Sequence, residues 1–409
     1  MSEWVSACAP SSNHQHRNSN HNQDPIKGSL AASLLSCTSL CVFLCAASLA
    51  SGVASAETRW YVVGMLHTAT YSDGHYRPGD NCPHGSNGRS LDVYRRILKN
   101  EYHYSDADAD AVLAGKKDKK GDLVTNRGRI DGKPASVYIY PMSAPKTNDY
   151  LVEGHHAFGF NLDGKGLTKA SAFEDPETHE KGVENQLFRA IGCYAQYDIN
   201  LPVRPYYEEG VFVTNLPWVP AWLFSVTGDS LDKDGDVTVD FYKAIEHPRL
   251  SADNGLLHGA TYTIDPNPRS FGHMKGRIVK GVLHSAGDQI SLEDEPPFYM
   301  QLSLSRPQMR LTLSADGTAA GYIGGFQPWI DWWAMVAEYR ENQQGLDLST
   351  LYWNLQALAD ANPDPRTGKN TAISVTYRID AVSAYAVAAA PYVPPRQLRP
   401  RAERVAQRQ

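Results

Sequence analysis

The chain has 409 residues, 42% apolar and 21% charged, an ordinary globular composition long enough for two or three domains. Its net charge is −6, and the last 19 residues carry five Arg against one Glu, so Glu57 to Ala390 stands near −10. An acidic body argues against nucleic acid as the main partner. Abundant Gly (32) and Pro (25), with 10% aromatic residues, favour a β-rich protein with irregular loops.

Residues 1–56 read as a leader. A polar, His/Asn/Ser-rich start reaches Lys27, an apolar run follows from Leu30 to about Ala50, and Ala54-Ser55-Ala56 supplies a small-residue cleavage site. The pattern predicts export to the periplasm or beyond the cell. The competing readings are an uncleaved anchor and a lipoprotein at Cys37. No later segment is long and apolar enough to span a membrane. Cys8, Cys37, Cys41 and Cys45 leave with the leader, so Cys82 and Cys193 remain as an even pair in an oxidising compartment. A disulfide between them is expected.

The mature chain opens with a strand-like run from Arg59 to Tyr71, followed by a long Gly/Pro/Asn loop. Leu91, Tyr94 and Leu98 recur at helical spacing over 90–100. Residues 104–134 read as exposed loop. The acidic run Asp106-Ala-Asp-Ala-Asp110 resembles a calcium ligand series but lacks the glycine and terminal Glu of a known loop, and is expected to be a solvated face. Strands are predicted at Ser136–Pro141 and Val152–Leu162. In the second, alternation places His156, Phe158, Phe160 and Leu162 on one face and Glu153 with His155 on the other. His156 is then a core histidine, and the adjacent pair cannot grip one ion. Glu153 and His155 remain ligand candidates, or zinc or iron ligands with a third partner. Beyond them, Asp163, Glu174, Asp175, Glu177 and Glu184 offer the hard oxygens that Ca2+ prefers. A helix is predicted over 184–195.

A boundary falls between about 198 and 212, dividing an N-terminal α+β domain (57–205) from a C-terminal β-rich one (206–390). Residues 219–245 read as a hairpin with an Asp/Gly turn. Its Gly228-Asp229-Ser230-Leu231 resembles the signature of GDSL-type esterases, which implies a nucleophile at Ser230. That family's Asp-x-x-His base is absent downstream, and a serine without a base is a weak nucleophile. Strands are predicted at 260–264, 277–283 and 289–292. Residues 297–326 then alternate almost without interruption, turning at Asp316-Gly317.

Trp329, Ile330, Trp333, Val336 and Ala337 give one helical stripe, and Leu348, Leu351, Leu355 and Leu358 a second, with Asp347 as N-cap. They predict a helical hairpin over 329–361. Trp332 lies off the first stripe, which makes it the exposed aromatic for a carbohydrate or small apolar ligand. A final strand spans 372–387, and 391–409 form a disordered basic tail. The motifs FNLDG (160–164), GVENQL (182–187), DGTAAGYIGGFQPW (316–329) and NPDPRTGKNTAIS (362–374) are similar to those of uncharacterised exported bacterial proteins; the resemblance spans most of the mature chain and implies no activity or functional residue.

The sequence thus predicts an exported, mainly β (α+β) protein of antiparallel or β-sandwich-like domains that binds a ligand or partner without catalysis. The alternative is a secreted hydrolase acting through Ser230 or a metal near His155.

Overall fold

The computed structural model describes residues 56–71, 79–88, 90–118, 120–165, 172–195, 197, 219–267, 269–292, 302–338 and 346–389. The expected leader (1–56, Ala56 apart), the expected basic tail and the expected boundary at 205–206 lie outside them. The strand β1 (Glu57–Thr68) is followed by α1 (Ser90–Tyr102), α2 (Asp106–Leu113), α3 (Lys120–Thr125), the pair β2 (Gly128–Ile130) and β3 (Lys133–Ala135), the pair β4 (Phe173–Glu174) and β5 (Lys181–Val183), and α4 (Gln186–Ile191). Then come β6 (Trp222–Gly228), β7 (Gly235–Lys243), β8 (Ala260–Ile264), β9 (Phe271–Val279), β10 (Val282–Leu292), β11 (Leu302–Leu313) and β12 (Thr318–Pro328). The helices α5 (Trp329–Glu338) and α6 (Leu348–Leu358), with β13 (Ala361–Pro363) and β14 (Asn370–Ala388), complete the fold.

The main sheet closes into a barrel of eight strands, which corrects the expected sandwich. The strands β1, β6, β7, β9, β10, β11, β12 and β14 pair antiparallel in chain order, and β14 returns to pair with β1. Closure removes the exposed edges that an open sheet would have to protect. Strands from both sides of the boundary expected near 205–206 therefore share one sheet.

Alternation makes the walls. Along β7, Val237, Val239 and Phe241 point inward while Asp236, Thr238 and Asp240 point out. Tyr61, Phe224, Met274, Leu283, Leu311, Ile323 and Val375 belong to the same apolar core, so the interior is filled by side chains, as an eight-stranded barrel permits. Bulges between Gly287 and Ile290 on β10, and between Ser305 and Gln308 on β11, reset the inward parity. Hence Leu302 and Leu304 point in before the second bulge, and Met309 and Leu311 after it.

Short turns join strands at one end of the barrel: 229–234, 280–281 and 314–317. The long excursions, with every helix, leave from the other. Leu187 and Ile191 of α4, Trp332 and Trp333 of α5, and Leu348 and Leu351 of α6 join the barrel core. The excursions are tied together by charge. Arg127 pairs with Glu101 of α1 and with Asp347, the N-cap of α6. Thr147 Oγ1 donates to Asp347 Oδ2 at 3.1 Å. Nearby, Asp149 receives Arg96 Nη2 at 2.7 Å and the hydroxyl of Tyr194.

Several local expectations change. The Asp106–Asp110 run is the helix α2, because Ser105 accepts from Asp108 N as N-cap and acidic residues suit a helix start. Residues 136–141 form turns and enter a 3-10 turn at Pro141–Ser143, not a strand. The predicted strand 277–283 crosses a hairpin turn, where Lys280 (φ 51°) and Gly281 (φ 79°) are both left-handed. Residues 152–162 form no continuous strand and touch strand partners only at His156 and Phe160. Alternation therefore fails there, and His156 is exposed rather than core.

Candidate functional site

Residues 153–165 and 172–183 lie against the outside of the barrel, and α4 follows them into the barrel core. The disulfide joins Cys82 to Cys193, with Cα atoms 5.8 Å apart, inside a cluster of Val152, Ala157, Phe173, Val183 and Phe188. Next to it, Glu174 N donates to His155 O at 2.9 Å, laying the acidic turn along the 155–160 segment. Gly324 lets the segment dock: a Cβ there would sit 2.7 Å from Cδ2 of Phe160.

Asp175 organises this turn. Its Oδ1 accepts from Glu177 N and Thr178 N, both at 2.9 Å. Its Oδ2 accepts from Gly159 N at 3.2 Å and from Arg310 Nη2 at 3.0 Å. Burial pushes this carboxyl upward, but those donors and the Arg310 charge outweigh it and hold Asp175 below its ordinary value. The Arg310 guanidinium lies 5.6 Å from the Phe160 ring centre and 5.4 Å from that of Tyr322. Tyr322 OH donates to Glu177 Oε1 at 3.0 Å, and Phe158 stacks on Tyr322 at 4.9 Å.

The five proposed calcium ligands are engaged with different partners. Glu184 Oε2 accepts from Asp163 N at 2.9 Å, and Asp163 lies 3.6 Å from Lys165 Nζ. Glu174 lies 3.5 Å from His179, while Asp175 and Glu177 face Arg310 and Tyr322. Among the described residues, no three His, Cys, Asp or Glu side chains converge as a metal site. Glu153 meets His84 Nε2 at 3.3 Å, and His155 is exposed. Trp332 is 1% exposed, so it is a core residue and not the surface aromatic expected. The helix is turned so that Ile330 (41% exposed) faces out and Trp332 packs toward Tyr197. Ser230 lies in the β6–β7 turn, beside Leu231, whose N donates to Glu57 Oε2 at 2.9 Å. No histidine is hydrogen-bonded to Ser230 among the described residues.

Between the acidic turn and the barrel lies a cleft of about 520 Å³. Lys275 and Arg277 of β9, His284 of β10, and Gln308 and Arg310 of β11 form its barrel side. Phe160, Thr178 and Glu180 form the other. Cross-strand register explains the grouping: His284 stands opposite Arg277 on one neighbour and Arg310 on the other, and Ala286 opposite Lys275 and Gln308. Burial and then the positive charge of Arg310 hold His284 below its ordinary value, against the pull of Glu180. Ser285 also lines the cleft, but its side chain is buried and its hydroxyl donates to Met274 Sδ at 3.8 Å.

The alternation of β9, β10 and β11 is legible in sequence, but the lateral register that aligns Arg277, His284 and Arg310 is not. The Lys280-Gly281 turn fixes the half of it that sets Arg277 opposite His284. Comparison of the chain with protein-family models, with curated proteins and with solved structures finds no match in any of the three.

Proposed function

We propose that the exported mature chain is a non-catalytic binding protein that takes a small anionic ligand in the cleft over β9–β11. The supporting observation is the lining itself. Three cations, Lys275, Arg277 and Arg310, line it from barrel strands in fixed register, and one carboxylate, Glu180, lines it from the acidic turn. Its volume is that of a small-molecule site, roughly 300–1,000 Å³. Arg310 is partly neutralised by Asp175, and Arg277 lies 2.6 Å from Asp236, so Lys275 is the principal contact and Arg277 a shared one. Phe160 offers an apolar wall. The inward turn of the Ser285 hydroxyl is the reason for a binding rather than an acyl-transfer reading.

Isothermal calorimetry with citrate and with inorganic phosphate tests this, with glucose as the neutral control. Binding of either anion, lost in the Lys275→Ala/Arg277→Ala double variant, is the expected result. Equal heats for the wild type and the double variant, or no heat from either anion, would remove the cleft as the site.

A further inference from the structure

We infer that a second, separate groove, centred on Trp353, binds an acidic saccharide. It is about 550 Å³ and is built from three segments. The helix α6 supplies Trp353, Gln356 and Ala357, which fall on its outer side while Leu348, Leu351 and Leu355 face the core. The loop after the 3-10 turn supplies Lys146, the turn before β14 supplies Lys369, and β14 supplies its first residue, Asn370.

All three walls are fixed by hydrogen bonds, and those of the Lys146 loop and the Lys369 turn do not use the lysine side chains. Thr147 N donates to Thr350 Oγ1 at 2.7 Å, and Ser349 Oγ donates to Ala144 O at 3.1 Å, so the Lys146 loop is fastened to α6. Asp364 accepts from Arg366 N at 2.7 Å and Thr367 N at 3.0 Å, closing the turn that carries Lys369. Asn370 Nδ2 donates to Ala359 O at 2.9 Å, tying that turn to the end of α6. Tyr352 meets Trp353 edge-on at 5.3 Å and limits its ring orientation.

The lining chemistry selects the ligand class. A half-buried indole gives a flat apolar face on which the C–H face of a sugar ring can stack. Gln356 offers an amide that can both donate to and accept from hydroxyls. Two lysines line the groove and no carboxylate does, in a chain whose net charge is −6. An aromatic platform with hydroxyl-directed amides and paired ammonium groups fits a hexuronate better than a neutral sugar. The acidic body disfavours a long polyanion, so a short oligosaccharide is the occupant and a nucleotide is the rival that the test must separate.

The test uses the mature protein with tri-galacturonate, the corresponding neutral trisaccharide and AMP, followed by tryptophan fluorescence and calorimetry. Tri-galacturonate is expected to bind tighter than the other two, with affinity falling as salt rises. Lys369→Ala and Lys146→Ala, both at exposed positions, are each expected to weaken it about tenfold. Trp353→Ala should abolish the fluorescence change, while Trp353→Phe keeps part of the affinity. The Lys275→Ala/Arg277→Ala variant should bind tri-galacturonate normally, which separates this groove from the cleft over β9–β11. Tighter binding of AMP, undiminished binding by the lysine variants, or no binding of tri-galacturonate would each overturn the inference.

Discussion

Asp175 and Arg310 meet 3.0 Å apart on the outside of the barrel, although they lie 135 positions apart in sequence. The carboxylate is fully buried and the guanidinium nearly so, and each is held by further partners: backbone N–H groups for Asp175, two aromatic faces for Arg310. A buried pair of this kind contributes little beyond an apolar replacement, but losing one partner strands a charge. Asp175→Ala is therefore expected to cost about 3–5 kcal/mol, and Asp175→Ala with Arg310→Met distinctly less. Urea unfolding of both variants checks this; equal losses would mean that the pair is not the unit. Because the folded-state value of Asp175 is depressed, its contribution is present above the unfolded value, ~3.9, and is lost as pH falls through the folded one. The acid limb of the stability curve should be shallower in the variant.

Asp149 behaves in the opposite sense. Burial, then the negative charge of Asp347, push its carboxyl up to about 6 against Arg96 and the Tyr194 and Thr147 hydroxyls. Arg127 and Glu101 stand behind Asp347. Between the unfolded value of about 4 and the folded one, the native protein keeps a proton that the unfolded chain has released. The site's stabilisation is full below that window and is lost as pH rises through about 6. Relative to pH 7, acidification to about pH 5 should add stability on the order of 1 kcal/mol from this site. Asp149→Asn should flatten that part of the curve in denaturant titrations; an unchanged slope would assign it elsewhere.

The disulfide fastens the first loop to the end of α4, closing a loop between positions 111 apart. Cys82→Ser/Cys193→Ser should lower unfolding free energy by about 2–5 kcal/mol under non-reducing conditions. Intact mass of the wild type should be two hydrogens below the reduced form. Full free-thiol titration of native protein would contradict the bridge.

How much of this was legible depended on whether chemistry was local. The Asp347 cap, the Asp316-Gly317 turn and the parity change from Leu304 to Met309 are all visible in sequence, because each is set within a few residues. Barrel closure was not, since the β1–β14 pairing joins Trp60 to Ala384 and nothing local marks it. His156 misled because alternation holds only where a strand is continuous. Trp332 misled for a related reason. Helical spacing says which residues share a face, but only the packing of α5 and α6 on the barrel end decides which face is buried. The Asp175–Arg310 contact and the row Arg277, His284, Arg310 needed the register of distant strands.

That row carries the last prediction. In the free protein His284 is held below its ordinary value, by burial first and by the Arg310 charge second. An anion seated on Lys275 and Arg277 brings negative charge beside the imidazole and raises its affinity for a proton. Binding then takes up a proton, so anion affinity must rise as pH falls through the histidine range, by at most about tenfold per pH unit. Calorimetry with sulfate, which stays a dianion from about pH 7.5 to 5.5, in buffers of different ionisation enthalpy, measures both the slope and the proton uptake. His284→Gln should abolish the slope while retaining binding, because Lys275 and Arg277 remain. Lys275→Ala should weaken binding at every pH and leave the slope intact. A slope that survives His284→Gln would place the titrating group outside the row, and the Arg277–His284–Arg310 register would lose its role in ligand recognition.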